Sequence, residues 1–275
     1  MRAASNTCGK EGRSAVAEGV GRVQLSVEGG IARVTFDRPH ARNALTWAMY
    51  EQLAESCGRI DADRSIRVAV FRGAGGKAFV AGTDITQFRA FESGEDGVGY
   101  EEKIDGFVGA LDRLRVPSVA VIEGYAVGGG LAIANACDIR IAASGARFGV
   151  PIARTVGNCL SAANLRRLCA TLGLSWVKRM LLLAEMPAAE TLAATGYVTV
   201  VRPEQLDAEV ARVCGTILGH APLTMAASRE TLRRLGGAPL PDISDLIRAC
   251  YGSADFRQAV ATFGSGAATV AWRGE

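Results

Sequence analysis

Residues 118–144 read SVAVIEGYAVGGGLAIANACDIRIAAS, and their reading decides the architecture of the chain. The apolar run Val119-Ala120-Val121-Ile122, bounded by Pro117 and Gly124, reads as a buried strand. Three consecutive glycines, Gly128 to Gly130, then lead into 131–136, LAIANA, which predicts a short buried helix. Residues 137–143 return as another strand. Glycines at a strand-to-helix turn let the backbone take positive φ and let a ligand approach it closely. The first N–H groups of the helix have no internal partner and point outward at the positive end of its dipole. Such a turn suits an anion, or an oxygen that becomes negative during a reaction. Tight helix–strand packing that needs no side chains is the plainer reading of the same glycines.

A second stretch tips that balance. Residues 71–88, FRGAGGKAFVAGTDITQF, hold a strand end, a glycine-rich turn and a short apolar piece before Thr83. A bare N–H at Thr83 is available in such a turn, with Asp84 placed to cap a following helix. One donor from each turn can grip one carbonyl oxygen. Neither turn is a nucleotide fingerprint. Gly76-Lys77 is followed by Ala78, so the hydroxyl of a phosphate-binding loop is missing, and Gly124 with Gly128 to Gly130 lacks the GxGxxG spacing.

The segments AGTDI (81–85) and GYAVGGG (124–130), with RPHARNAL (38–45) before them and ACDIRIAASGARFGVP (136–151) after, resemble the crotonase (enoyl-CoA hydratase/isomerase) superfamily. The resemblance runs over about residues 21–273. It implies an α/β fold, a spiral of ββα units with a helical C-terminal region that builds homotrimers or dimers of trimers. The expected organisation is a flexible leader at 1–20, a core at 21–200 and a helical region at 201–275. The implied ligand is an acyl thioester of coenzyme A, with its carbonyl oxygen between the backbone N–H groups of Thr83 and Gly129. Ala41, Arg42 and Asn43, then Ala81, Asp84, Ile85 and Thr86, are implied along the CoA. Arg42 fits either a phosphate contact or a solvated surface arginine. CoA would be part of the substrate, and neither a metal nor a separate cofactor is expected.

The chemistry departs from the pattern. Hydratases of the superfamily place one glutamate two residues after the third glycine and another directly after the Pro of the next motif. Those positions are Ala132 and Ile152 here. Neither side chain can hold water or exchange a proton, so plain hydration is not expected. The implied acyl pocket comprises Ala132, Ile152, Arg154, Asn158 and Cys159. Cys159 reads as a small buried thiol, and Arg154 as an ion pair or a carboxylate holder. Asn135 reads as a buried amide or a second residue facing the cavity, and Asp138 as satisfying backbone N–H groups. Glu101 and Glu102 could supply a carboxylate from the opposite side, but beside Lys103 they read as an exposed acidic pair. No general base is nominated. The expected function is an acyl-CoA enzyme that stabilises a thioester enolate. The alternative is a non-catalytic acyl-CoA binder or sensor.

Composition agrees with a globular enzyme. Hydrophobic residues make up 49% and charged residues 21%, enough for a sizeable core. A net charge of +3 without a Lys/Arg block gives no reason to expect nucleic acid. No apolar run reaches the roughly 18 residues that span a bilayer, so no membrane is expected. The seven cysteines are odd in number, scattered and free of CxxC spacing, which predicts a reduced, cytoplasmic protein. The two histidines cannot build a metal cluster alone.

Along the chain, 23–27 and 31–36 predict a hairpin, Thr46 a cap for a helix to about Ile60, and 68–71 a strand. Residues 84–114 predict helix interrupted by a mobile-looking segment at 93–97. Helices are predicted at 160–172, 176–183, 188–194, 206–218, 224–235 and 243–263, with a short strand at 196–201. Residues 264–268 lack the basic cluster many relatives carry after the preceding Phe.

Overall fold

The computed structural model describes residues 21–236 and 244–263. Its frame is a six-stranded sheet. The first two strands, β1 (Arg22–Glu28) and β2 (Ile31–Asp37), form the antiparallel hairpin that their alternating apolar residues predict. Helix α1 (Trp47–Ala62) follows, and Thr46 caps it by accepting the Met49 N–H. The chain then winds through three similar turns. Each contributes one strand to the large sheet and one to a smaller sheet. The pairs are β3 (Val68–Gly73) with β4 (Ala78–Val80), β5 (Ser118–Ile122) with β6 (Tyr125–Val127), and β7 (Ile139–Ala143) with β8 (Arg147–Gly149). Helix α2 (Gly94–Asp112) separates the first pair from the second, and α3 (Gly129–Ala136) the second from the third. Both sheets are parallel in this region: β3-β5-β7 in one, β4-β6-β8 in the other.

Beyond β8 come α4 (Ile152–Thr155), α5 (Ala162–Leu182) and α6 (Ala189–Ala193), then the edge strand β9 (Thr199–Val201). Every later described helix is outside the sheets: α7 (Leu206–Leu218), α8 (Pro222–Leu235), α9 (Ser244–Tyr251) and α10 (Ala254–Thr262). The apolar strand runs are buried on both faces, as central parallel strands require. Val68, Val70, Val119, Val121, Ile141 and Ala143 face Leu206, Cys214 and Ile217 of α7, while Ala69, Phe71, Ala120 and Ile122 face the main core. Alternate residues of one strand thus serve two cores.

Two local expectations are corrected. Residues 93–97 do not interrupt a helix: they start α2. The Asp96 carboxylate accepts from the Ser93 N–H in a capping box. Gly94 and Gly97 are also where α9 docks. A Cβ on Gly97 would lie 2.2 Å from Tyr251 Cγ, and one on Gly94 2.5 Å from Arg248 Cα. The helix expected over 243–263 is broken into α9 and α10, because Ser253 caps a new helix by accepting the Phe256 N–H. The two helices expected at 160–172 and 176–183 are both present: at Gly173 the backbone leaves the helical region (φ 76°, ψ 150°) and divides α5 into two helical segments. The leader at 1–20 and residues 264–268 lie outside the described residues.

Candidate active site

The two glycine turns meet at one cavity. Its wall includes Ala81, Gly82 and Thr83 from the first turn and Val127, Gly128 and Gly129 from the second. Thr83 bridges to Leu45 in parallel fashion: Leu45 N–H donates to the Gly82 carbonyl and Asp84 N–H to the Leu45 carbonyl. Alternate groups of an extended chain point in opposite directions, so this pairing turns the Thr83 N–H away from Leu45. Gly129 opens α3, where an N–H has no partner within the helix. Gly128, at φ 53° and ψ −119°, adopts a backbone that a side chain would strain. A Cβ on Gly129 would lie 2.4 Å from Tyr50 Oη and 3.4 Å from Thr83 Oγ1. The second turn therefore packs directly over the first.

Two tyrosines fix Thr83. Its hydroxyl lies 2.8 Å from Tyr50 Oη and 2.7 Å from Tyr100 Oη. Burial pushes the Tyr50 phenol up to about 12 and raises Tyr100 as well, so both remain neutral hydrogen-bonding groups. Much of the remaining wall is apolar, with Ile85, Phe88, Ile104, Ile152, Val156 and Leu160, beside the uncharged polar side chains of Thr155, Asn158 and Asn164. Such a surface excludes water and strengthens whatever polar groups remain.

One acid stands in this apolar wall. Glu101 of α2 lines the cavity and is 2% exposed. Its Oε1 accepts from the Tyr251 hydroxyl at 2.8 Å and its Oε2 from the Ser161 N–H at 2.9 Å. Burial pushes its carboxyl up to about 7, with the nearby Asp105 charge adding to the rise and the two donors opposing it. Asn158 holds the same tyrosine, donating from Nδ2 to Tyr251 Oη at 3.0 Å, while its own buried Oδ1 has no partner among the described residues.

A model of the enoyl-CoA hydratase/isomerase family matches residues 26–251. The chain belongs to that family. A short-chain-enoyl-CoA hydratase of Clostridium acetobutylicum is 32% identical over 218 residues, covering 77% of this chain and 81% of the relative. The crystal structure of an enoyl-CoA hydratase/carnithine racemase from Magnetospirillum magneticum is 33% identical, with a TM-score of 0.74 over 92% of this chain and 96% of that one. A methylmalonyl-CoA decarboxylase in complex with 2-nitronate-propionyl-CoA superposes with a TM-score of 0.83 over 92% of this chain and 98% of that one; at 24% identity it speaks to the fold alone.

Within this enoyl-CoA hydratase/isomerase scaffold, the residues singled out from the sequence divide. Ala81, Thr83, Ile85, Gly129, Ala132, Ile152 and Asn158 line the cavity together. Arg154 is not among its lining residues and lies exposed on α4. Cys159 is half-buried and also outside the lining; hydrogen bonding to the Cys250 thiol and burial keep its own thiol protonated. Asn43 is fully buried, so its side chain is not free for CoA. It donates to the carbonyls of Ala74 and Ala78 and accepts from the Arg38 N–H, locking the loop before α1 onto the β3–β4 turn. Its neighbour Ala41 sits in a single helical turn, Pro39–Ala41. Arg42 lies over the Tyr125 ring at 5.7 Å. Asp84 caps the turn at Ile85–Ala90 through the Thr86 N–H and pairs with Arg38 at 2.8 Å, leaving Thr86 exposed.

Asn135 faces a different, polar pocket, where its Oδ1 accepts from the Thr171 hydroxyl. Asp138 accepts from the Ser118 N–H at 2.7 Å, tying α3 to the start of β5. The reading of Glu101 and Glu102 as an exposed acidic pair is corrected: Glu102 is exposed, Glu101 is not. The signal was present in the spacing. Gly97, Glu101, Ile104 and Val108 recur at helical intervals and form the buried stripe of α2. A glutamate at a stripe position faces inward whatever its neighbour does.

Proposed function

We propose that the protein binds an acyl-CoA thioester with its carbonyl oxygen between the N–H groups of Thr83 and Gly129, and stabilises the enolate formed when a proton leaves the adjacent carbon. The observation that carries this reading is the meeting of two independent glycine turns at one apolar cavity. Fixed backbone donors cost little reorganisation when charge develops on the oxygen, and each is worth about 10²–10³ in rate in comparable sites. Tyr50 and Tyr100 clamp the Thr83 side chain and so hold its N–H in place. Ala132 and Ile152 leave no paired carboxylates for a water molecule, which weighs against plain hydration. A binder without activity has no use for an unpaired acid in its cavity, and Glu101 weighs against that alternative.

The same proposal includes a reaction that needs no cofactor beyond the CoA carried by the substrate, a homotrimer or dimer of trimers, and a cytoplasmic location. No described helix is long and apolar enough to cross a membrane. Exposed Leu223, Leu232 and Leu235 on α8, a helix without a buried residue, support assembly.

Titration with acetoacetyl-CoA tests the reading, because its enolate has a near-ultraviolet absorbance that free neutral ligand lacks. Saturable appearance of that band is expected. Absence of both the band and binding overturns the proposal.

A further inference from the structure

We infer that Glu101, reaching the cavity from α2 and held by Tyr251 of α9, is the group that removes and returns the proton beside the thioester carbonyl. The inference rests on the acyl-CoA reading above and adds to it the base and the kind of reaction. Among the described residues lining the cavity, only Glu101 and Tyr100 carry titratable side chains, and burial holds Tyr100 neutral. Each Glu101 oxygen accepts one hydrogen bond. A carboxylate oxygen has two lone-pair directions, so both oxygens retain room for a proton. Among the described residues no cation pairs with Glu101, and the charge that acts on it is Asp105, of the same sign. A buried acid without a counter-ion is costly, and such groups concentrate at functional sites. Its ionisation near neutral pH is what a general base requires.

A purely structural role is the competing explanation. Glu101 receives the Ser161 N–H at the start of α5, and an acceptor there supports that helix end. A glutamine serves that role equally well. Its amide oxygen accepts from Ser161 and its NH₂ group donates to Tyr251 Oη. Glutamine cannot take a proton from carbon. The two explanations therefore part at Glu101→Gln.

One base among apolar walls suits moving a proton within the substrate. On but-3-enoyl-CoA, the Glu101 carboxylate takes a proton from C2. The C–H electron pair forms the C1–C2 double bond of a dienolate, with the charge on the thioester oxygen between Thr83 and Gly129. Protonated Glu101 then delivers that proton to C4. The thioester carbonyl reforms, the double bond moves to C2–C3, and crotonyl-CoA results. Nothing is oxidised or reduced, and no water is consumed.

Tyr251 is a positioning residue in this scheme. Its hydroxyl donates to the carboxylate and so favours the charged form. The other ionisable groups acting on Glu101 or feeling its charge are Asp105 and Tyr100 on α2, Tyr50 on α1 and Cys159 before α5. Removing the Tyr251 donor raises the Glu101 pKa, and the rate, which needs the ionised base, then rises at higher pH.

The test follows isomerisation of but-3-enoyl-CoA and, separately, binding of acetoacetyl-CoA by wild type, Glu101→Gln, Glu101→Asp, Glu101→Ala and Tyr251→Phe. Wild type should isomerise, and Glu101→Gln should lose about 10²–10⁴-fold in kcat while binding acetoacetyl-CoA within a few-fold of wild type. Glu101→Asp, which keeps the carboxyl and serves if the glutamine variant does not fold, should retain activity above that of a Glu101→Ala chain. Tyr251→Phe should shift the pH–rate profile upward. Wild-type rate in Glu101→Gln, equal rates in the aspartate and alanine variants, an unmoved profile in Tyr251→Phe, or a wild type that binds without isomerising would each overturn the assignment of Glu101 alone. A wild type that gives neither the enolate band nor binding of acetoacetyl-CoA overturns the acyl-CoA reading beneath it.

Discussion

The Tyr251 hydroxyl donates a 2.8 Å hydrogen bond to Glu101 Oε1 across 150 positions of sequence, from α9 to the buried stripe of α2. Gly97 makes the approach possible, since any side chain there would meet the Tyr251 ring. The rings of Phe88, Phe91, Tyr100 and Phe256 pack around Tyr251 at centroid distances of 4.9–6.3 Å. The carboxyl is thus sealed by a helix from the far end of the chain.

That seal makes stability depend on pH. The Glu101 carboxyl moves from an ordinary 4.5 to about 7 on folding, so ionising it in the native state costs about 3 kcal/mol. Below the unfolded value the acid is protonated in both states and its contribution is fully present. As pH rises toward the folded value, the unfolded chain ionises first and stability falls. Urea melts at about pH 5 and about pH 8 should show wild type losing roughly this amount relative to Glu101→Gln. A difference between the two proteins that stays constant with pH would contradict the buried, neutral acid.

Gly129→Ala should impair thioester chemistry more than folding. The added methyl would lie 2.4 Å from Tyr50 Oη, displacing either the phenol or the α3 N–H. Alanine is otherwise a better helix residue than glycine. Loss of one aligned donor predicts a fall of about 10²–10³ in kcat, against a loss of about 1–3 kcal/mol in stability from the overpacked phenol. Gly129→Pro removes the donor outright and should do at least as much. Full activity in both variants would misplace the oxyanion site.

Crotonyl-CoA should be hydrated poorly. Hydration needs a water held on one face of the double bond as well as a proton for the α-carbon. Ala132 and Ile152 offer no hydrogen-bonding atom to such a water, and one glutamate from the opposite wall supplies only half of the pair. Steady-state assays should give kcat/KM well below roughly 10⁴ M⁻¹s⁻¹. A value in the ordinary enzyme range would mean that Glu101, with the unpartnered Asn158 Oδ1, positions water after all.

The chain should assemble. Leu223, Leu232 and Leu235 are 84%, 69% and 78% exposed in a single copy, Leu232 and Leu235 are neighbours one turn apart, and α8 has no buried residue. Sedimentation at micromolar concentration should give a trimer or hexamer, and Leu232→Glu with Leu235→Glu should shift it toward smaller species. A wild-type monomer would refute the assembly.

The sequence by itself determined the longer strands, both glycine turns and the family. Those features are local: apolar runs such as Val119 to Ile122, bounded by Pro117 and Gly124, read as buried strands, and the three adjacent glycines gain their meaning from the second turn at 81–85. The short strands β4, β6 and β8 are not legible in the sequence because three residues carry too little pattern. Asn43 was misread because its motif was visible and its hydrogen-bond partners, the carbonyls of Ala74 and Ala78, were not. Glu101 was half legible, in the helical spacing of Gly97, Ile104 and Val108. What only the tertiary structure decided is that this stripe faces the cavity and that Tyr251 closes over it. Burial and pKa depend on all the atoms around a group, and those atoms come from α1, α2, α5 and α9 at once.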